Sequence, residues 1–242
     1  MFTYIWHTVF FDPVYNTLIF FVDTVRGGDV GIAIIATVIV VKMILLPLSI
    51  KAAKTQKIMR ELDPKLKELK EKYKDDKQKQ AQEMMQLYKE FNLNPFASIF
   101  LMFLQIPIIL ALYFAVYSGG GIALPQVNVD LLYSFIAQPA VVTTNFLGLI
   151  DITGRSIVLA IGAGITQFIF TSMTLPKLAA REVDAGPNFK EDFMRNMHVQ
   201  MKYVMPVIIA GVAYTISAAI ALYFVVSNLV GIAQEFYVRK HR

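Results

Sequence analysis

A single charge inside an otherwise apolar run constrains this chain more than any other feature. From Val30 to Ile50 the only ionisable side chain is Lys42. The run has the length and apolarity of a membrane span. A helix rises about 1.5 Å per residue, which puts Lys42 about 13 Å inside the basic cluster that begins at Lys51. The hydrocarbon half-thickness is about 15 Å, so the ammonium lies near mid-membrane, too deep to reach the interface by stretching. Translocon scales put the cost of a lysine there at about 2.5–3.5 kcal/mol. Such a residue is expected to face a wet or polar interior and to act on something.

Composition sets the class. Of 242 residues, 56% are hydrophobic, more than an ordinary soluble domain carries. The chain has no cysteine, which excludes disulfides, thiolate metal sites, cysteine nucleophiles and lipid attachment through a thiol. His7, His198 and His241 are scattered, so no metal constellation is visible and no cofactor is expected. No nucleotide-binding motif is present either, and nothing points to an enzyme.

At the N-terminus no basic residue precedes Arg26 and no small-x-small site follows an apolar core, so a cleavable signal peptide is not expected. Residues 2–25 are aromatic but interrupted by Asp12-Pro13, Asn16 and Asp23. From Pro13 onward Val14, Leu18, Phe21, Val22 and Val25 share one helical face. The pattern predicts an amphipathic helix lying in the membrane interface within 1–29, with Tyr4 and Trp6 at headgroup depth. Asp12-Pro13 weighs against a true span here.

Four further apolar stretches follow. The sequence predicts spans over 30–50, 96–117 and 156–175, and two more within 203–237, joined by a tight turn near Ser217. Leu131–Ile150 approaches span length, but Gln138-Pro139 and Thr143-Thr144-Asn145 interrupt it. Counting it as a span would also place Lys177, Arg181, Lys190, Arg195 and Lys202 outside, against the positive-inside rule. The expected fold is an all-α polytopic membrane protein with five transmembrane helices, N-terminus out and C-terminus in. Residues 118–155 are then extracytoplasmic, and the 176–202 loop and 238–242 tail cytoplasmic. The twelve Lys/Arg between Lys51 and Lys89, with Arg239, Lys240 and Arg242, all fall on the cytoplasmic side, while Arg26 and Arg155 lie outside among acidic residues.

Residues 51–95 read as a cytoplasmic antiparallel helical hairpin. Ile58, Leu62, Leu66, Leu69 and Tyr73 repeat at helical spacing, as do Ala81, Met84, Tyr88 and Phe91, across the polar turn Lys74-Asp75-Asp76-Lys77. Asp63-Pro64 suits an N-cap with proline at the first helical position and so a break at Leu62. The hairpin is either a solvated arm or a docking arm for an acidic or RNA-rich partner or anionic lipid.

Polar residues recur inside the spans. Tyr223, Ser227 and Gln234 fall on one face with Asn228 beside them, Gln167 aligns with Thr171 and Thr174, and Gln105 aligns with Ser98. Each either lines a groove or joins helices by a hydrogen bond worth about 0.6 kcal/mol. Pro47, Pro107 and Pro206 interrupt spans and free backbone carbonyls, with a simple kink as the alternative.

The strings VKMILLPLSIKAAKTQK (41–57), LDPKLKELKEKYKDD (62–76), QIPIILALY (105–113), NFLGLID (145–151), KYVMP (202–206) and SNLVGIAQEFY (227–237) occur in order. Together they closely resemble the YidC-type membrane protein insertases of the Oxa/Alb/YidC superfamily, in a compact form without a large extracytoplasmic domain. The resemblance spans the chain from about residue 10. It implies that Lys42 stands where the family carries a positive residue, usually arginine, five positions before Pro47, in a hydrophilic groove open to cytoplasm and lipid. Lysine keeps the charge but loses the planar fork for bidentate pairing. Phe224 is a second departure, where many relatives carry tryptophan or tyrosine. The matching motif favours the groove for Tyr223, Ser227 and Asn228, whereas Gln105 and Gln167 remain equally readable as glue.

The implied function is insertion and folding of nascent membrane proteins at the bacterial plasma (inner) membrane, without enzymatic chemistry. The implied partners are nascent membrane proteins, the ribosome and anionic lipid, with no DNA, and action alone or beside a Sec-type translocon both stay open. The basic residues Lys65, Lys67, Lys70, Lys72, Arg239, Lys240 and Arg242 resemble family segments that meet the ribosome. A small channel or transporter, or an assembly factor that moves nothing, are the rivals; no internal repeat and only one centrally charged span speak against a transporter.

Overall fold

Long apolar runs, punctuated by proline and short polar turns, fold here as helices. The computed structural model describes all residues other than 92, 94–96, 119–120, 176–194 and 241–242. The chain begins with α1 (Phe2–Ile5), a π turn (Trp6–Phe11) and α2 (Asp12–Thr24). Next come α3 (Val30–Glu61), α4 (Asp63–Lys72), α5 (Lys77–Glu90), α6 (Ala97–Tyr117) and α7 (Ile157–Thr174). The last two helices are α8 (Arg195–Ile216), with a second π turn over Gln200–Val204, and α9 (Ala218–Lys240). Between α6 and α7 lie a 3-10 turn (Val129–Leu131) and one antiparallel strand pair, β1 (Asn145–Phe146) and β2 (Ile150–Asp151), with Phe146 opposite Ile150.

Among the described residues four helices are long and apolar enough to cross a membrane: α3 over Val30–Met59, α7, α8 and α9. The apolar part of α6, Phe103–Tyr117, is shorter. Leu131–Ile150 forms no α-helix. Phe103, Ile106 and Leu110 on α6 and Ile157, Val158, Ile161 and Ile165 on α7 are exposed. Contiguous apolar faces of this kind suit hydrocarbon and not water.

Several boundaries differ from the sequence expectation, each for a local reason. The first helix does not end at Ile50 but runs on to Glu61. Residues 51–61 contain neither glycine nor proline, and Lys57 pairs with Glu61 at 3.8 Å, so nothing stops it before Leu62. At about 1.5 Å per residue it outruns a hydrocarbon layer of about 30 Å. Asp63 opens α4 with Pro64 in its first turn, and Leu62 occupies the capping position expected for Asp63.

Asp12-Pro13 does not break the N-terminal helix, and α8 begins at Arg195, ahead of the expected 203. In both places a π turn ends just ahead of the proline, Pro13 or Pro206. The wider turn leaves room for a pyrrolidine ring that lacks an N–H and crowds the carbonyl four residues back. The expected tail from Val238 is also the last turn of α9, which continues to Lys240.

The core is built around α9, which packs against α3, α6, α7 and α8. Ala218, Ala219 and Ala221 are buried in its first turns and bring neighbouring backbones close. Gly164 serves the same purpose between α7 and α8: a Cβ there would lie 3.1 Å from Ala210 Cβ and 3.2 Å from the Pro206 carbonyl oxygen. Rather than presenting one apolar face only, α2 packs on α3 and α6 with Tyr15, Leu18 and Ile19 wholly enclosed.

Polar side chains of α2 explain that deeper burial. Asn16 donates to the carbonyls of Asp12 and Leu131, each at 2.9 Å, and accepts from Tyr133 N–H at 2.6 Å. The Tyr15 hydroxyl accepts from Asn128 N–H at 2.9 Å, and burial pushes its pKa above the ordinary value, keeping it neutral. The 118–155 segment is tied at its other end to α3. Asp29 caps that helix by accepting from Ile32 N–H at 3.1 Å and also accepts from Leu147 N–H at 2.8 Å.

Candidate functional site: the cavity at Lys42

Four helices meet at Lys42. From α3 its Nζ donates to Gln105 Oε1 on α6 at 3.3 Å. Tyr223 reaches the same place from α9, and Val14 of α2 closes one side. Lys42, Gln105, Thr37 and Tyr223 are the polar lining of a cavity of about 10 Å³, whose remaining wall is Val14, Val38, Val41, Ile108 and Leu112. A space of that size holds about one water molecule. Thr37 spends its hydroxyl on the Ala33 carbonyl at 2.8 Å. The buried Tyr223 hydroxyl makes no hydrogen bond of regular geometry among the described residues, and Ser227 one turn on is the polar side chain it interacts with.

Among the described residues no carboxylate neutralises the cation. The ion pairs among the described residues are His7–Asp12, Lys57–Glu61 and Arg239–Glu235, none of which involves Lys42. Its partner is a neutral amide oxygen, which solvates an ammonium without cancelling its charge. Two prolines lie nearby in sequence. Pro47 deprives the Met43 carbonyl, and Pro107 the Phe103 carbonyl, of their helical donors. An uncompensated cation, an amide, a phenol and weakened backbone pairing make a polar spot inside an apolar bundle. It can attract an anionic or strongly polar group; it holds no nucleophile–base pair and, among the described residues, no metal-ligand cluster is present.

The other sequence-predicted site residues disperse. Asn228 is buried at the α7–α9 seam and donates to Thr166 Oγ1 at 3.3 Å. Gln167 donates to Thr171 Oγ1 at 3.1 Å on its own helix. Ser227 is half-buried one turn beyond Tyr223 and does not line the cavity. Gln234 accepts from Ser49 Oγ at 2.8 Å, joining α9 to α3 below Pro47.

Basic residues expected to dock a partner also have local contacts. Lys65 Nζ stands 5.6 Å from the Phe91 ring centroid and Lys72 Nζ 5.3 Å from that of Tyr73. Lys67 is exposed, and the Lys70 carbonyl accepts from Gln80 at 2.8 Å, which sets α4 beside α5. Arg239 is not a free tail residue: it pairs with Glu235 at 2.9 Å and donates to the Met173 carbonyl at the end of α7. Lys240 is exposed, and Arg242 lies outside the described residues.

Sequence reasoning missed Asn16, Asp29 and Ser49 as organising residues. Asp29 was legible in principle, since an aspartate directly before an apolar helical run is an N-cap signal. Asn16 and Ser49 act across more than 100 residues of chain, and no local pattern announces such contacts.

Known proteins resemble this chain over most of its length. A membrane protein insertase YidC of Clostridium tetani is 32% identical over 210 residues, covering 87% of this chain and 81% of that relative. Membrane protein insertase YidC 2 of Bacillus anthracis is 32% identical over 241 residues, covering 98% of this chain and 82% of its own. Membrane protein insertase YidC 1 of Halalkalibacterium halodurans is 31% identical over 238 residues, or 97% and 79% of the two chains. Residues 21–242 match the family described as 60Kd inner membrane protein. With its apolar helices of span length, the chain belongs to that family, the Oxa/YidC group, and is a multi-pass protein of the bacterial inner membrane.

Proposed function

We propose that this protein inserts nascent membrane proteins into the bilayer and helps them fold, using the Lys42 site as an intramembrane attraction for polar parts of the client. It belongs to a family of insertases and not of enzymes. The observation that carries the reading is the cation itself. Lys42 sits deep in a span-length helix, solvated by Gln105 and left without a carboxylate among the described residues.

In this reading the chain crosses the membrane five times, through α3, α6, α7, α8 and α9, with its N-terminus outside. Helices α4 and α5 form a cytoplasmic hairpin, α1–α2 enter from the outer side with Val14 reaching the Lys42 cavity, and 118–155 is the outer segment. The concentration of lysine and arginine between residues 51 and 89 supports this orientation. A client segment enters from the cytoplasm between α3 and its neighbours, and its polar tail is drawn towards Lys42. A unit charge pair at about 6 Å gains roughly 3 kcal/mol at an effective dielectric of 20, comparable to the cost of carrying a carboxylate into the membrane. The cavity of about 10 Å³ must widen for this, and the helices must part where small residues pack. The apolar part of the client then moves sideways into lipid, driven by its own area. The ribosome, through the exposed lysines of α4 and α5 and through Lys240, and anionic lipid are the proposed cytoplasmic partners, with a Sec-type translocon as an optional one.

Reconstitution into liposomes with a single-span client tests the function. Insertion without added nucleotide is expected. A vesicle that conducts small anions but inserts nothing would make the protein a channel. Client stabilisation without translocation of its tail would make it an assembly factor.

A further inference from the structure

We infer that the tip Leu147-Gly148-Leu149 of the β1–β2 hairpin is a membrane anchor that buries its two leucines among lipids of the outer leaflet. The leaflet rests on the N-out reading proposed above; the immersion itself does not.

The turn carries residues that its own geometry disfavours. Leu147 has φ +53° and Gly148 φ +70°, and Leu149 N–H donates to the Phe146 carbonyl at 3.0 Å, closing a tight turn within the three-residue loop between Phe146 and Ile150. Positive φ at both central positions calls for Asn-Gly or Gly-Gly, and a bulky leucine in the first is an outlier. Asp29, at the start of α3, holds Leu147 there by accepting its N–H at 2.8 Å. Backbone strain kept in place by a second element is a pointer to function. What the strained turn presents is apolar: Leu147 is 61% and Leu149 85% exposed.

The position of the tip names what covers it. Phe146, next to the tip, packs on the N-terminal end of α3: a Cβ on Gly31 would collide with its ring. The backbone beside it is bonded to the start of the same helix, Val30 N–H to the Thr143 carbonyl at 3.0 Å. Gly31 heads a row at four-residue spacing, Gly31, Ile35, Ile39, Met43, which becomes 39% exposed at Ile39 and 64% at Met43. That row is an apolar surface of a spanning helix, so acyl chains flank it, and the hairpin stands over its upper end. From residue 131 to 150 there is no charged side chain to oppose entry into the lipid interface. Exposed apolar side chains above the end of a helix whose exposed apolar row begins two turns further on, in a segment uncharged from 131 to 150, fit lipid better than water.

The full-length protein with Trp6→Phe and Leu149→Trp carries one indole, at an exposed position where it disturbs no packing. In phosphatidylcholine–phosphatidylglycerol vesicles its emission should be blue-shifted, quenched by acyl chains brominated near the headgroup, and protected from aqueous iodide. Emission of a hydrated indole that iodide quenches would overturn the anchor. Protection from both quenchers would overturn it too, by showing that protein covers the tip. A cysteine at Asp130 reports orientation separately: labelling only from the cytoplasmic side would refute the N-out reading while lipid quenching still upheld immersion. In detergent, Leu147→Asn should raise the thermal midpoint because asparagine suits the turn. A lowered midpoint would mean that Leu147 serves folding, against the proposal.

Discussion

Lys42 on α3 and Gln105 on α6 are joined by a hydrogen bond of 3.3 Å, and that bond makes the amide the immediate environment of the buried cation. An amide leaves the positive charge available, whereas a carboxylate at the same place would consume it. Gln105→Glu should therefore tighten the α3–α6 contact and depress insertion of acidic-tailed clients. Two unit charges about 4 Å apart attract by about 4 kcal/mol at an effective dielectric of 20, enough to outcompete a client. Gln105→Leu should keep most insertion. Insertion assays on both variants in proteoliposomes, with thermal melting in detergent, check the pair.

Asn16 should behave as a clasp. Its side chain serves the Leu131 carbonyl and the Tyr133 N–H, both in a segment distant in sequence. Asn16→Ala leaves those groups without their partner and should lower stability by about 2 kcal/mol or more. Hydrogen exchange at residues 129–133 should accelerate, while exchange within α7 stays unchanged. Equal protection in both proteins would show that the segment is held by other contacts.

Topology is open to direct labelling. Cysteine at Asp75 should react with a membrane-impermeant maleimide only from the cytoplasmic side, and cysteine at Asp130 only from outside. Position 188 decides between five and six spans: cytoplasmic labelling of Asn188→Cys fits five, and outside labelling requires another crossing.

Lys240 and Arg239 should separate functionally, because Arg239 is occupied by Glu235 and the Met173 carbonyl and Lys240 is exposed. Lys240→Gln should weaken ribosome co-sedimentation, more visibly as salt rises, since the attraction is screened. Arg239→Gln should do so less, and its exposed ion pair is worth only about 0.3–0.5 kcal/mol of stability.

Much of this organisation is legible in the amino-acid sequence. Lys42, the apolar runs and the turn at Ser217 are local signals of composition and period, and Ser217 is indeed the extended residue between α8 and α9. Gln105 could be marked as polar on a span, but that it meets Lys42 depends on how α6 packs against α3. Asn228 and Gln167 carry the same polar signal and turn to α7 instead, which a helical wheel cannot distinguish. Asp12-Pro13 reads as a break because proline costs a hydrogen bond in a regular helix; the π turn ahead of it is a tertiary accommodation invisible to a 3.6-residue period. Asn16 and Asp29 bond across more than 100 residues, so their roles emerge only from the folded chain.

The charge of Lys42 is tested most directly by Lys42→Ala in proteoliposomes, comparing clients that differ only in an acidic or a neutral translocated tail. The variant should fold, since removing a lone buried cation relieves a desolvation cost. Acidic-tailed clients should lose insertion and neutral-tailed ones should retain it, with Lys42→Arg close to the native protein. Equal insertion of both tails by a folded Lys42→Ala protein would contradict the charge mechanism.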